Sequence, residues 1–300
     1  MPIGGATIPL HIKGFRDAFI NASNDMPNYW KDIVGKEMDT DALLEKFILL
    51  GDLSPTQPIE DVGGVPVDSL VTFATKDFFT HQYALAVQLT NKQLRTDQSG
   101  LLKTVPKLLA QSDYLAVEQL VADLLNNGTD SNYTGIDTKE LFSTSHPIAN
   151  GQTFSNLSTA ATLAYSALET MLTDIKAQKS YKGNPWMNWG GFTLITGPAK
   201  SLVAKRILAT QNIAGSADLD KNVAKDDIKG SAGNQFITSS TAFYLLPSDA
   251  SRNPLFLLHG KKAEVVEDPK PSELRTIYVV ASDRTAGWLC AQGTQANAGS

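Results

Sequence analysis

One stretch governs what this chain can fold into. From Val65 the apolar residues alternate with polar ones: Val65, Val67, Val71 and Phe73 share one face, with Asp68, Thr72 and Lys76 opposite. Beyond Lys76-Asp77 the alternation resumes through Phe79, His81, Tyr83, Leu85, Val87 and Leu89. A period of two marks half-buried strands. The expected form is a long hairpin, two strands of about ten residues turning at Lys76-Asp77. A two-stranded hairpin is marginal in water by itself. This one must therefore lie on its own domain or on a neighbouring chain.

The flanking sequence predicts helices before and after it. Phe15, Ala18 and Phe19 recur at helical spacing within 14–22, and a second helix is expected over 29–34. Residues 40–50 form a further short element, and Pro55, Pro58, Gly63 and Gly64 make 52–64 an extended connector. The strongest helix spans 104–127, capped by Thr104, with Pro106 in its first turn and a stripe from Leu108 to Leu125. Asn126-Asn127-Gly128 ends it. A polar, turn-rich segment fills 128–157, followed by a helix over 158–179, a strand at 192–196, and a helix at 199–210 after Gly197-Pro198. Residues 211–235 read as a long loop; strands are expected at 236–238, 242–246, 255–258, 263–266 and 274–281, and 291–300 as a frayed end. The class is α+β, in 300 residues that allow one large domain or two modest ones.

Several function classes lose support here. Lys+Arg 26 against Asp+Glu 31 leaves a net charge of −5, the wrong sign for a dedicated nucleic-acid clamp. One cysteine, Cys290, allows no intrachain disulfide and no cysteine zinc site. No apolar run approaches the roughly 18 residues of a membrane span, so a soluble chain without membrane partners is expected. His11, His81, His146 and His259 lie outside ligand spacing of one another, so no metal or other cofactor is expected. Ser143, Thr144 and Ser145 beside His146 offer a nucleophile next to a base, yet catalytic partners usually meet from distant chain positions. No Gly-x-Ser-x-Gly or phosphate-binding glycine motif is present. Asp218, Asp220, Asp226 and Asp227 lack the order of a calcium loop. Trp186 and Trp189 are either a partner contact or a small satellite core. With no catalytic constellation and an arm-like hairpin, the chain reads as an assembly subunit.

A run of segments in one order resembles the major capsid proteins of tailed bacteriophages, specifically the Mu-like major head subunit family. They are Gly14-Phe15 with Ala18-Phe19; Phe47-Ile48-Leu49-Leu50-Gly51-Asp52; Val87 through Leu94 to Gly100; Val121 to Asn127 followed by Leu141-Phe142-Ser143-Thr144-Ser145-His146; Phe192 to Pro198; Ala242 to Leu246; Pro254-Leu255-Phe256; and Gly287-Trp288. Asp137 to Glu140 and Pro147 depart from the family's pattern. The resemblance implies the Hong Kong ninety-seven type of capsid fold. It places an N-terminal arm at 1–60 and an E-loop hairpin at 61–95. The peripheral P-domain takes 96–157 and 255–285, with its spine helix at 104–127, and the axial A-domain takes 158–254 and 286–300.

The implied function is self-assembly as pentamers and hexamers into an icosahedral shell around double-stranded DNA, with no chemical step. The expected location is the virion capsid, after synthesis and assembly in the bacterial host cytoplasm. Portal, scaffold and decoration proteins are the further partners such a shell implies, and its contact with DNA is non-specific. Intersubunit contact is expected at Val71, Phe73, Lys76, Asp77, Phe79, His81 and Tyr83. The alternatives are an encapsulin-like compartment, a tail or neck component, and a hydrolase using His146 with Ser143 or Ser145.

Overall fold

The computed structural model describes residues 7–59, 65–70, 72–96, 101–187, 190–211 and 221–300. Helix α1 (Thr7–Asn24) leads through a 3-10 turn at Tyr29–Asp32 to β1 (Lys36–Asp39) and β2 (Leu44–Leu50). Then come β3 (Thr72–Phe79), β4 (His81–Thr90), α2 (Asn91–Arg95) and the long α3 (Leu101–Asn126). Three short strands follow, β5 (His146–Pro147), β6 (Thr153–Phe154) and β7 (Leu157–Ser158), before α4 (Tyr165–Ala177), β8 (Phe192–Thr196) and α5 (Pro198–Ala209). The chain ends with α6 (Ala224–Asp227), β9 (Ile228–Gly233), β10 (Phe243–Pro247), β11 (Leu255–Lys270), β12 (Arg275–Trp288) and β13 (Gln295–Asn297).

The alternating stretch does not pair with itself. β3 runs antiparallel to β2, from Leu44 opposite Phe79 to Leu50 opposite Thr72. β4 instead joins β12 over its full length, from Thr90 opposite Arg275 to His81 opposite Arg284. Lys76 and Asp77 therefore lie mid-strand, facing Phe47 and Lys46, and the expected turn there is absent. The chain changes sheets at Thr80, whose N–H donates to Leu43 O at 3.1 Å. Alternation fixes which side chains share a face but not which strand is the neighbour, and Leu44 to Leu50 competes for the same partner. The hairpin's end is thus the segment between β2 and β3, where Pro55 and Pro58 can donate no ladder hydrogen bond. Val71 lies outside the described residues.

Two sheets carry the fold. One has the order β1-β11-β12-β4, with β1 parallel to β11 and the other pairs antiparallel. The other has the order β7-β13-β10-β8-β9. α3 rises about 1.5 Å per residue over 26 residues, a rod of about 39 Å. It starts three residues earlier than expected, which puts Pro106 inside it and removes one backbone donor. Its face Val105, Leu109, Val117, Val121 and Leu125 is buried. α1 lies beside it, with Phe15 stacked on Tyr278 at 4.1 Å between ring centroids.

Strand β10 is buried on both faces. Tyr244 and Leu246 enter the core shared with α3, β11 and Trp288, whereas Phe243 and Leu245 enter the one beneath α4. Such a strand reads as a continuous apolar run, as Phe243 to Leu246 does.

Other expectations change as well. The 236–238 strand is absent and β9 stands just before it, while 255–258 and 263–266 merge into the bulged β11. Residues 212–220 of the expected loop, with Asp218 and Asp220, lie outside the described residues. The supposedly frayed end is buried from Ala291 to Asn297, and β13 sits between β7 and β10. Its polar composition conceals this. Gln178 donates to Thr294 O at 2.9 Å, and Gln295 and Asn297 donate to Ser158 Oγ and Thr159 O, both at 2.8 Å.

Candidate functional site

The β2–β3 hairpin has two apolar faces because successive side chains of a strand point to opposite sides, and Phe47 to Leu50 and Phe78-Phe79 are continuous apolar runs. On the inner face, Phe47, Leu49, Ala74 and Phe78 pack against Met38, Ile136, Phe256 and Leu258. Phe78 meets Phe256 edge-on with ring centroids 5.0 Å apart. Lys76 belongs to this inner face. Its Nζ donates to Thr134 O and stands 5.1 Å from the centre of the Phe78 ring. Burial pulls its pKa down, against the opposing charge of Asp137. On the outer face, Leu44, Ile48, Leu50 and Phe79 are exposed, Ile48 by 58% and Phe79 by 53%, with Lys46 and Asp77 between them.

Polar contacts hold the far end. Asp52 Oδ2 accepts from Ser180 Oγ at 2.7 Å and from Asn184 Nδ2 at 2.6 Å, and its Oδ1 accepts from Lys182 N at 2.9 Å. Partial burial would raise the Asp52 pKa, but these hydrogen bonds outweigh it and hold the carboxyl below its ordinary value. Asp68 accepts from Lys182 Nζ at 2.5 Å and from Ser54 N at 2.7 Å, with Lys182 foremost in holding its carboxyl well below the usual range. Phe73 rests on Tyr181, ring centroids 4.3 Å apart.

The residues expected to form one contact surface are thus distributed. Asp77 and Phe79 share the hairpin's exposed outer face. Phe73 and Lys76 turn toward their own chain. His81 and Tyr83 belong to β4, on a different sheet, where the Tyr83 ring lies 5.1 Å from the Arg284 guanidinium. Sequence reading missed Leu44, Ile48 and Leu50 on the same outer face, and the continuous apolar run Phe47 to Leu50, which fills both faces of a strand, was the available signal. Trp186 is half-buried and Trp189 lies outside the described residues.

His146 is wholly buried, and its ring stacks on Phe154. Nδ1 lies 2.6 Å from Asp137 Oδ2 and Nε2 lies 3.0 Å from Asn156 Oδ1. Asn156 Oδ1 also accepts from Ser143 N at 2.8 Å, while its Nδ2 donates to Leu141 O at 2.7 Å and to Thr294 Oγ1 at 3.1 Å. Both ring nitrogens are engaged, so neither is placed to take a proton from Ser143 or Ser145. The cluster ties the 137–146 loop to the C-terminal segment. Among the described residues no group of three or more His, Cys, Asp or Glu could hold a metal ion, and no helix is long and apolar enough to cross a membrane.

A family model described as phage capsid protein matches residues 73–289. The procapsid of bacteriophage JBD30 is similar in structure, with a TM-score of 0.59 and 15% identity, over 98% of this chain and 76% of that one. The capsid of the cyanophage P-SCSP1u gives 0.58 and 9%, over 90% and 88% of the two chains. A virus-like particle from Pyrococcus furiosus gives 0.52 and 11%, over 95% and 98%. At these identities the likeness is one of fold. Among curated proteins none matches.

Proposed function

The chain belongs to the phage capsid protein family, and we propose that it works as the major capsid subunit of a tailed bacteriophage, assembling as pentamers and hexamers into an icosahedral shell around double-stranded DNA. The match over residues 73–289 carries this reading. The exposed apolar outer face of the hairpin supports it, because such a surface on a lone chain usually marks a contact with another protein. No residue is asked to perform a chemical step. The activity is repeated association through heterologous contacts.

The finer placement, in the Mu-like head subunit family with a Hong Kong ninety-seven type of fold, rests on the ordered segments from Gly14-Phe15 to Gly287-Trp288. In that reading α3 is the spine helix, and the E-loop is the β2–β3 hairpin, rooted at residues 40–43 and Thr80. β4 then belongs to the peripheral domain. Assembly takes place in the host cytoplasm, with portal, scaffold and decoration proteins as further partners.

The test is sedimentation of the purified chain followed by negative-stain electron microscopy. Closed shells, or free pentamers and hexamers, are expected. A uniform monomer of 32.3 kDa at every concentration, even with the phage's other head proteins present, would count against the reading. The alternative, an encapsulin-like compartment, has less support, since the likeness to a virus-like particle at 11% identity is one of fold. Nuclease-protected DNA in particles recovered from infected cells would separate the two.

A further inference from the structure

A cleft of about 430 Å³ opens beside β9, the outermost strand of the five-stranded sheet. Three elements meet around it. α5 brings Lys205 and Leu208, α6 brings Lys225 and Asp226, and β9 brings Lys229 and Gly230. Three lysines against one aspartate leave this lining positive, on a chain whose net charge is −5. Asp227 does not offset them, because its carboxylate takes Lys176 at 2.6 Å. Among the described residues Lys205, Lys225 and Lys229 form no ion pair.

Two glycines shape the cleft. The Lys229 stem passes over Gly191, where a Cβ would come within 2.8 Å of Cε, and the Lys229 Nζ donates to Asp226 O at 2.8 Å. That ammonium is therefore held at the wall. At Gly230 a Cβ would meet no atom within 4 Å, so a ligand can approach the backbone there. β9 pairs with β8 alone, and an edge strand turns a row of N–H and C=O groups away from its neighbour. Among the described residues those outward groups of 229–233 have no backbone partner.

A solitary surface lysine is solvated and contributes little. Three lysines from separate elements around one concave space are a different case. An oxyanion among them gains charge-assisted hydrogen bonds, the stronger kind. The volume is that of a small-molecule site and more than one phosphate fills. We propose that this cleft binds a small polyanion with two or more linked phosphate groups, held by Lys205, Lys225 and Lys229 and by the edge backbone beside Gly230. The phosphate chain is the shared chemistry, whether free or carried by a nucleoside whose base lies against Leu208. Every group comes from one chain, so the inference stands apart from the shell reading.

The test is calorimetric titration of the full-length chain with inorganic tripolyphosphate in about 0.05 M sodium chloride, where screening is weak. Saturable binding of one ligand per chain is expected. Lys205→Ala and Lys225→Ala should each weaken it about tenfold, as the loss of one charge-assisted contact implies. Lys205→Arg should keep most of the affinity. Gly230→Val removes no charge and suits a strand, yet fills the cleft and should also weaken binding about tenfold. Melting temperatures without ligand should stay at the wild-type value in all four variants, and tripolyphosphate should raise that of the wild type as its concentration increases.

Parallel titrations with ATP and with a short oligodeoxynucleotide separate the sources of the phosphates. ATP binding at least as tightly as tripolyphosphate extends the site to a nucleoside triphosphate, and weaker ATP binding confines it to the free phosphate chain. An oligodeoxynucleotide that outcompetes both overturns a small-ligand site. Binding matched by sulfate at equal ionic strength overturns the proposal, as does wild-type affinity in Lys205→Ala, Lys225→Ala and Gly230→Val. A chain that binds tripolyphosphate and never assembles would sink the shell reading and leave the cleft standing.

Discussion

Glu118 sits on α3 with no exposed surface and accepts the N–H of Trp30 at 3.1 Å. It anchors the 3-10 turn after α1, whose preceding residue, Asn28, offers no side-chain cap. Burial holds the carboxyl above its ordinary value of 4.5, although hydrogen bonds from Trp30 and Tyr114 pull the other way. The folded chain therefore keeps this proton to a higher pH than the unfolded chain does. Its contribution to stability is full below the unfolded value and is lost as pH rises through the folded one. Glu118→Gln keeps an acceptor and has no proton to lose. As pH rises above about 4.5 the melting temperature of the variant should gain on that of the wild type. Glu118→Ala leaves a buried N–H without its acceptor and should cost about 1–3 kcal/mol in chemical denaturation. None of this was legible beforehand, because Glu118 falls among apolar residues whose spacing only marks a helix. His146 carries the same lesson. Its neighbours in sequence suggested serine partners, yet its ring meets Asp137 and Asn156.

Whole elements were more legible than their pairings. The stripe from Leu108 to Leu125 gave α3 to within three residues at its start, since helical spacing is a local property. The hairpin was misread because two alternating strands near a third leave the pairing open, and only the burial of Phe47 and Phe78 against Phe256 decides it. α3 is clamped to β12 by Asp113 and Arg284, whose side chains are 12% and 2% exposed; Asp113 also accepts from Ser282 Oγ at 3.2 Å. Asp113→Ala strands a buried guanidinium and should cost about 3–5 kcal/mol. Asp113→Leu combined with Arg284→Met should recover most of that loss, read by chemical denaturation. The C-terminal segment offers the complementary test. Deleting 294–300 removes β13 from the interior of a five-stranded sheet and opens the edge of β10, so soluble, cooperatively folding protein should be lost. Deleting only 298–300 leaves β13 in place and should be tolerated. A composition of small and polar residues suggested a loose end, because side-chain amides that satisfy a buried backbone look the same in sequence as amides facing water.

For the whole molecule, the charge balance and the hairpin's outer face make opposite demands on assembly. Each subunit carries a net charge of −5, so copies brought together in a shell repel one another. The attraction assigned to Leu44, Ile48, Leu50 and Phe79 is apolar, and added salt does not screen it. Surface ion pairs contribute only about 0–1 kcal/mol each and weaken with salt. The screening length falls from about 10 Å at 0.1 M salt to about 3 Å at 1 M, which removes most repulsion between exposed charges on neighbouring subunits. Raising sodium chloride from about 0.05 M to about 0.5 M should therefore lower the protein concentration at which shells form, followed by light scattering and sedimentation. Ile48→Lys should show no assembly at either salt concentration, because screening does not replace the missing apolar contact. A wild-type chain that dissociates as salt rises would place the attraction in ion pairs between subunits, and the outer face of the hairpin would then be a minor part of the contact.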